Sequence, residues 1–314
     1  MGGDSSKPSE YERRLCEYSP AQHYFDPNIG MEVQVYTCNT ANRQLAVFFL
    51  ENANLFDAFS TKLRDSIESR KSNSHLNITN LELMDHRKTS EFCADSSVLK
   101  LAYQFSDETL QSIILETGAK SMRGVSSQRT PIRSDVGLVN SFLRQAVQGL
   151  AFFAKQGRAC GFLKPAQVFV TVEEGEKVFK LLDFSPCLPH EDMYHRMLSE
   201  PQFFGPLDPT LIEAFRNKKQ NIKYKIENDL WALGISALSL ITCHEFSFYY
   251  DFSKPSIRYD LIIKDLSQLE REGYDSKILK IVGQLLQFYA HDRPNLHTLQ
   301  EKYLPYLSHS RTNF

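Results

Sequence analysis

Gly161-Phe162-Leu163-Lys164-Pro165-Ala166-Gln167-Val168-Phe169-Val170, and shortly after it Phe179-Lys180-Leu181-Leu182-Asp183-Phe184-Ser185, stand near the middle of a chain of 314 residues. Upstream, Leu138, Val139, Phe142, Ala146, Val147, Leu150 and Phe153 make one apolar stripe at helical spacing. That spacing predicts a helix over 140–153, leading into the stretch past Gly157. Downstream, 229–242 is apolar on nearly every side and predicts a helix buried at the centre of its layer. A further helix is predicted over 276–289, with Ile278, Ile281, Val282 and Leu285 on its buried face. From Val136 onward the reading is mainly helical. Just ahead of it, 120–135 reads as a polar, basic loop holding Arg123, Arg129, Pro131 and Arg133. Such a loop is either a solvated connection or a surface for an acidic or phosphorylated partner.

The front of the chain has a different period. Met31-Glu32-Val33-Gln34-Val35-Tyr36 alternates with period two, and Gln44-Leu45-Ala46-Val47-Phe48-Phe49-Leu50 is a buried-strand run. Residues 78–84 and 98–105 read as two more strands. Between the two pairs, Leu55, Phe56, Phe59, Leu63 and Ile67 predict a helix over 55–69. Strands, one helix, strands again and then a larger helical half amount to an α+β chain.

Composition narrows the function classes. At 42% hydrophobic and 24% charged the chain is no disordered tract. Lys+Arg 36 against Asp+Glu 38 gives a net charge of -2, which excludes a strongly basic nucleic-acid binder. The six cysteines are scattered with no CxxC pair, so neither a disulfide scaffold nor a zinc site is indicated, and buried reduced thiols are expected. The longest apolar stretch, 230–243, is too short to span a bilayer. Asn77-Ile78-Thr79 matches a glycosylation sequon, but its apolar, strand-like surroundings argue against a glycan.

The stretch around Lys164 resembles the catalytic loop and metal-binding region of protein kinases, whose pattern is H-R-D-L-K-P-x-N followed by D-F-G. Glu227-Asn228-Asp229-Leu230-Trp231-Ala232-Leu233-Gly234 is similar to the D-x-W-S-x-G start of the central kinase helix. His291-Asp292-Arg293-Pro294 is similar to the late D-x-R-P element, and Ser74-His75-Leu76-Asn77-Ile78 to the H-P-N-I entry to the fourth strand. These matches keep the family's order and span about 24–307. The resemblance implies a bilobal protein kinase-like fold over 21–308. Its small β-rich N-lobe with one main helix would cover about 21–105, and its larger helical C-lobe about 106–308. Residues 1–20 are then an N-terminal extension and 309–314 a C-terminal tail.

Kinase chemistry is mostly positioning and charge neutralisation. Phe162 occupies the place of the catalytic aspartate and can neither accept a proton nor orient a hydroxyl. Phe48 occupies the place of the phosphate-gripping lysine, and the helix carboxylates near Asp65, Ser66 and Glu68 have no such lysine to pair with. Of the glycine-rich loop only Gly30 keeps its glycine, and a lone glycine is also an ordinary turn residue. Lys164 matches the catalytic-loop lysine, and Gln167 replaces the metal-binding asparagine with one methylene more. Asp183 stands at the metal-binding aspartate, in Asp-Phe-Ser rather than Asp-Phe-Gly, and also reads as a turn residue bonded to backbone. Gly161 replaces the arginine that would pair with a phosphorylated activation segment. Asp229 is expected to cap the loop backbone. Arg293 matches a buried arginine whose usual glutamate partner aligns with Leu207, leaving Asp208 as the substitute.

With these losses the resemblance implies a pseudokinase: a signalling scaffold or allosteric regulator binding ATP and Mg only weakly if at all. Its partners would be proteins, such as an active kinase or that kinase's substrate, with no nucleic acid. The alternatives are an active atypical ATP-dependent serine/threonine kinase, with Lys62 as the displaced lysine, or another nucleotide transfer in the same cleft. Finally, Met1-Gly2-Gly3-Asp4-Ser5-Ser6 fits the M-G-x-x-x-[ST] acylation pattern, with Lys7, Arg13 and Arg14 behind it among Glu10 and Glu12. Acylation of Gly2 implies a cytoplasmic protein with transient membrane contact; a chance match is the rival reading.

Overall fold

β-branched and aromatic residues fill the predicted strands, and they pair as their alternation requires. The computed structural model describes residues 10–26, 31–41, 43–51, 74–91, 94–124, 133–161, 163–183, 205–217, 224–254 and 256–307. Among these, β1 (Tyr18–Asp26), β2 (Met31–Cys38), β3 (Gln44–Glu51), β4 (Leu81–Glu91) and β5 (Ala94–Phe105) form one antiparallel sheet in the order β1-β2-β3-β5-β4. β3 is buried on both faces. Leu45 and Val47 pack with Leu83, Ala102 and Tyr11, the last from α1 (Glu10–Leu15). Ala46 and Phe48 point the other way. Phe48 pairs across the strands with Val33 and Leu101 and meets the Tyr103 ring edge-on at 5.8 Å.

The chain divides into two units, Met1–Ser74 with Thr79–Ser106, and His75–Ile78 with Asp107–Phe314. The first is built on the sheet. The second is mixed: α2 (Leu110–Gly124), α3 (Val136–Lys155), a hairpin of β6 (Val168–Glu173) and β7 (Glu176–Leu181), α4 (Pro209–Arg216), α5 (Ile226–Thr242), α6 (Tyr259–Arg271) and α7 (Ser276–Leu285). Asp135 caps α3 by accepting from the Leu138 N–H at 3.0 Å, and Asp275 caps α7. α5 is buried from Asn228 to Thr242, as its all-round apolar sequence predicts. Phe142, Leu150, Trp231, Leu238 and Ile281 belong to the core around it.

Four expectations shift. The strand predicted from residue 78 starts at Leu81, because Asn77 and Ile78 are bound into the second unit. The Asn77 side chain donates to Gln145 Oε1 (2.8 Å) and the Phe179 carbonyl (3.1 Å), and its own carbonyl accepts from Leu181 N (2.9 Å). A glycan has no room on that amide. The predicted loop 120–135 is helical as far as Gly124. The helix predicted to 289 ends at Leu285: Arg293 takes the carbonyls of Gln287 and Phe288, and Phe288 and Tyr289 turn outward. The free cysteines among the described residues are also less buried than expected: of these four, Cys160 alone is buried, Cys16 is exposed, and Cys38 and Cys243 are intermediate. The predicted helix 55–69, residues 125–132, Gly2 with its acylation pattern and the tail 309–314 lie outside the described residues. Among the described residues no helix is long and apolar enough to cross a membrane.

Candidate functional site

The backbone ahead of β6 is held from below by one carboxylate. Asp229, fully buried near the start of α5, accepts from the N–H groups of Cys160 (2.7 Å) and Gly161 (3.0 Å) and from the Tyr224 hydroxyl. Burial pushes its carboxyl up to about 7, against the opposite pull of those hydrogen bonds. Gly161 turns the chain with φ +79, a conformation that favours glycine. Lys164 is extended, as a residue before proline should be, and Pro165–Gln167 closes a single 3-10 turn through Gln167 N to Lys164 O (2.9 Å). Leu182 N then donates to the Gln167 carbonyl (3.1 Å), which ties the start of the Asp183 segment to this turn.

Lys164, Gln167 and Asp183 therefore sit on connected backbone, and all three are buried. Lys164 lines a small recess with Gly161, Leu163, Gly205, Leu207 and Tyr224. Both polar atoms of the Gln167 amide are buried without a hydrogen-bond partner, an arrangement that ordinarily costs stability. Asp183 is engaged quite differently. Arg158 grips it with two parallel bonds, Nη1 to Oδ1 at 2.8 Å and Nη2 to Oδ2 at 2.6 Å. The pair is 20% and 6% exposed, so solvent screens the carboxylate little. Nothing in the spacing of the sequence joins these two residues; the one hint is an arginine directly after a helix-ending glycine.

Further along, Arg293 and Asp208 form an ion pair with both side chains fully buried. Arg293 also donates to the Glu227 carbonyl (2.9 Å) and lies over the Trp231 ring at 5.0 Å. The other Asp208 oxygen accepts from Thr210 N at 2.7 Å and starts α4. Leu207, at the expected glutamate position, is buried, and its carbonyl accepts from Tyr250, whose hydroxyl in turn accepts from Trp231. Asp208 is the partner of Arg293, as the sequence suggested.

Phe48 belongs to the first unit and is 1% exposed. Gly30 and Phe162, together with Lys62, Asp65, Ser66 and Glu68, lie outside the described residues. Among the described residues no group of three or more His, Cys, Asp or Glu side chains is placed to hold a metal ion. No family model and no curated protein matches the chain.

Proposed function

We propose that the chain is a catalytically impaired protein kinase homologue with a bilobal kinase-like fold, acting as a signalling scaffold or allosteric regulator of protein partners. The observation that carries this reading is Phe48. A position where a kinase needs a cation facing phosphate is an aromatic core residue, packed between Val33 and Leu101 and against Tyr103. Phe162 adds the loss of a group worth roughly 10²- to 10⁴-fold in rate. The framework around these positions supports the homology: a sheet-based unit followed by a mainly helical one, Asp229 under the loop, and the buried Arg293–Asp208 pair. Framework kept and chemistry lost is what a protein used for its surface requires. Acylation of Gly2 would add transient contact with a membrane.

The test is a nucleotide titration beside a transfer assay. Active kinases turn over at about 1–100 s⁻¹. The purified protein with Mg-ATP is expected to transfer no phosphoryl group to generic substrates above background. ATP should bind more weakly than about 1 mM, so micromolar Mg-ATP leaves the melting temperature unchanged. Autophosphorylation by pure protein that disappears in Asp183→Ala would overturn the proposal.

A further inference from the structure

We infer that Arg158 is a built-in cation for Asp183, whose guanidinium holds the carboxylate that a divalent ion would otherwise take and so keeps metal off it. The inference rests on reading Asp183 as the remnant of a metal-binding aspartate. What separates this pair from an incidental surface contact is how fully the arginine is organised. Nε donates to Gln156 Oε1 (2.9 Å), while Nη1 and Nη2 donate to the two Asp183 oxygens, and the flat face rests on the Phe153 ring at 4.3 Å. The backbone prepares this placement. α3 ends at Lys155, Gly157 adopts φ +70, and Arg158 N returns to the Phe153 carbonyl (3.2 Å), which turns the side chain back over its own helix. A planar fork held at three edges and one face loses little freedom in forming the pair.

Divalent cations of the magnesium class bind through oxygen lone pairs of carboxylates and carbonyls. Each Asp183 oxygen already accepts a short, charge-assisted hydrogen bond. A metal must therefore displace a guanidinium that is itself largely buried. The Gln167 amide oxygen is buried without a hydrogen bond, and the Gln167 backbone is tied to Leu182, the residue before Asp183. Removing the arginine takes the guanidinium charge away from a buried carboxylate, and a divalent ion can supply a charge in its place.

The experiment uses the full chain and Mn²⁺ as the probe, followed by thermal shift and by electron paramagnetic resonance of free Mn²⁺. Wild type is expected to show no response at millimolar Mn²⁺. Arg158→Gln should melt lower without metal and recover with it, binding Mn²⁺ at least about tenfold more tightly than wild type. Adding Asp183→Asn should abolish that response. Arg158→Lys keeps the charge but loses the fork, and covers the case in which the glutamine variant does not fold; its response should lie between the two. The inference is overturned if wild type binds Mn²⁺ through Asp183 as tightly as the variants do. It is equally overturned if folded variants show no Asp183-dependent response. Phosphoryl transfer by wild type would instead overturn the proposed function, a result that neither Mn²⁺ outcome produces.

Discussion

Full burial sets the carboxyl of Asp229 at about 7, although the Cys160 and Gly161 N–H groups and the Tyr224 hydroxyl favour its charged form. The folded value lies above the ordinary 3.8, so between about pH 4 and pH 7 the folded chain keeps a proton that the unfolded chain has released. Stability from this group is complete below about pH 4 and is lost as pH rises through about 7. Asp229→Asn cannot ionise. The wild-type-minus-variant difference in unfolding free energy, from urea titrations, should therefore fall by up to about 1.4 kcal/mol per pH unit across that window and stay level above it. A level difference throughout would mean that the hydrogen bonds fully offset burial, and a rising one that they outweigh it. Asp229, Arg293 and Asp208 were legible because they stand in or beside stretches that resemble kinase motifs, although their partners lie 68–69 and 85 residues away. Arg158 was not. Its carboxylate lies 25 residues away, and only the folded turn at Gly157 aims it there.

Gly234 shows how a single element can be fixed by a missing side chain. A Cβ on this residue of α5 would lie 2.9 Å from the Leu285 Cβ and from two atoms of Leu286, at the end of α7. Alanine is the better helix former by about 1 kcal/mol, but here the methyl must push two packed leucines aside. Gly234→Ala is expected to lose about 1–3 kcal/mol in chemical denaturation, with unchanged slope. At the same scale the sequence is legible where burial imposes a period and silent where it does not. β2 alternates because one of its faces is covered, β3 runs apolar because both are, and α5 reads as buried because it is surrounded. β1 gives no such signal: Ser19, Pro20, Ala21, Gln22 and His23 are exposed, and its register even slips between Pro20 and Gln22. Only its backbone pairing to β2 makes it a strand. The end of α7 is hidden for a related reason, since the arginine that captures the Gln287 and Phe288 carbonyls just after it lies beyond the apolar stripe.

At the scale of the chain, the segment His75–Ile78 is the feature that sequence order hides. It sits between two stretches of the first unit yet is bonded into the second through Asn77, and Ile78 belongs to the second unit's core. Asn77→Ala removes two buried side-chain hydrogen bonds and leaves the Phe179 carbonyl without its Asn77 donor, at a cost of about 1–3 kcal/mol. Hydrogen exchange should quicken at the amides of β7 in the second unit, and remain unchanged in β4, which follows Asn77 more closely in sequence. Faster exchange confined to β4 would contradict the assignment. The same anchoring governs how a mechanical load would travel. The chain crosses between the units three times, after Ser74, after Ile78 and after Ser106, and β5 is paired along β3. A pull on the two ends would therefore be shared among three crossings, with the sheet handing load from β3 across to β5. The four-residue segment is one tether of three, and it divides the force instead of bearing it alone.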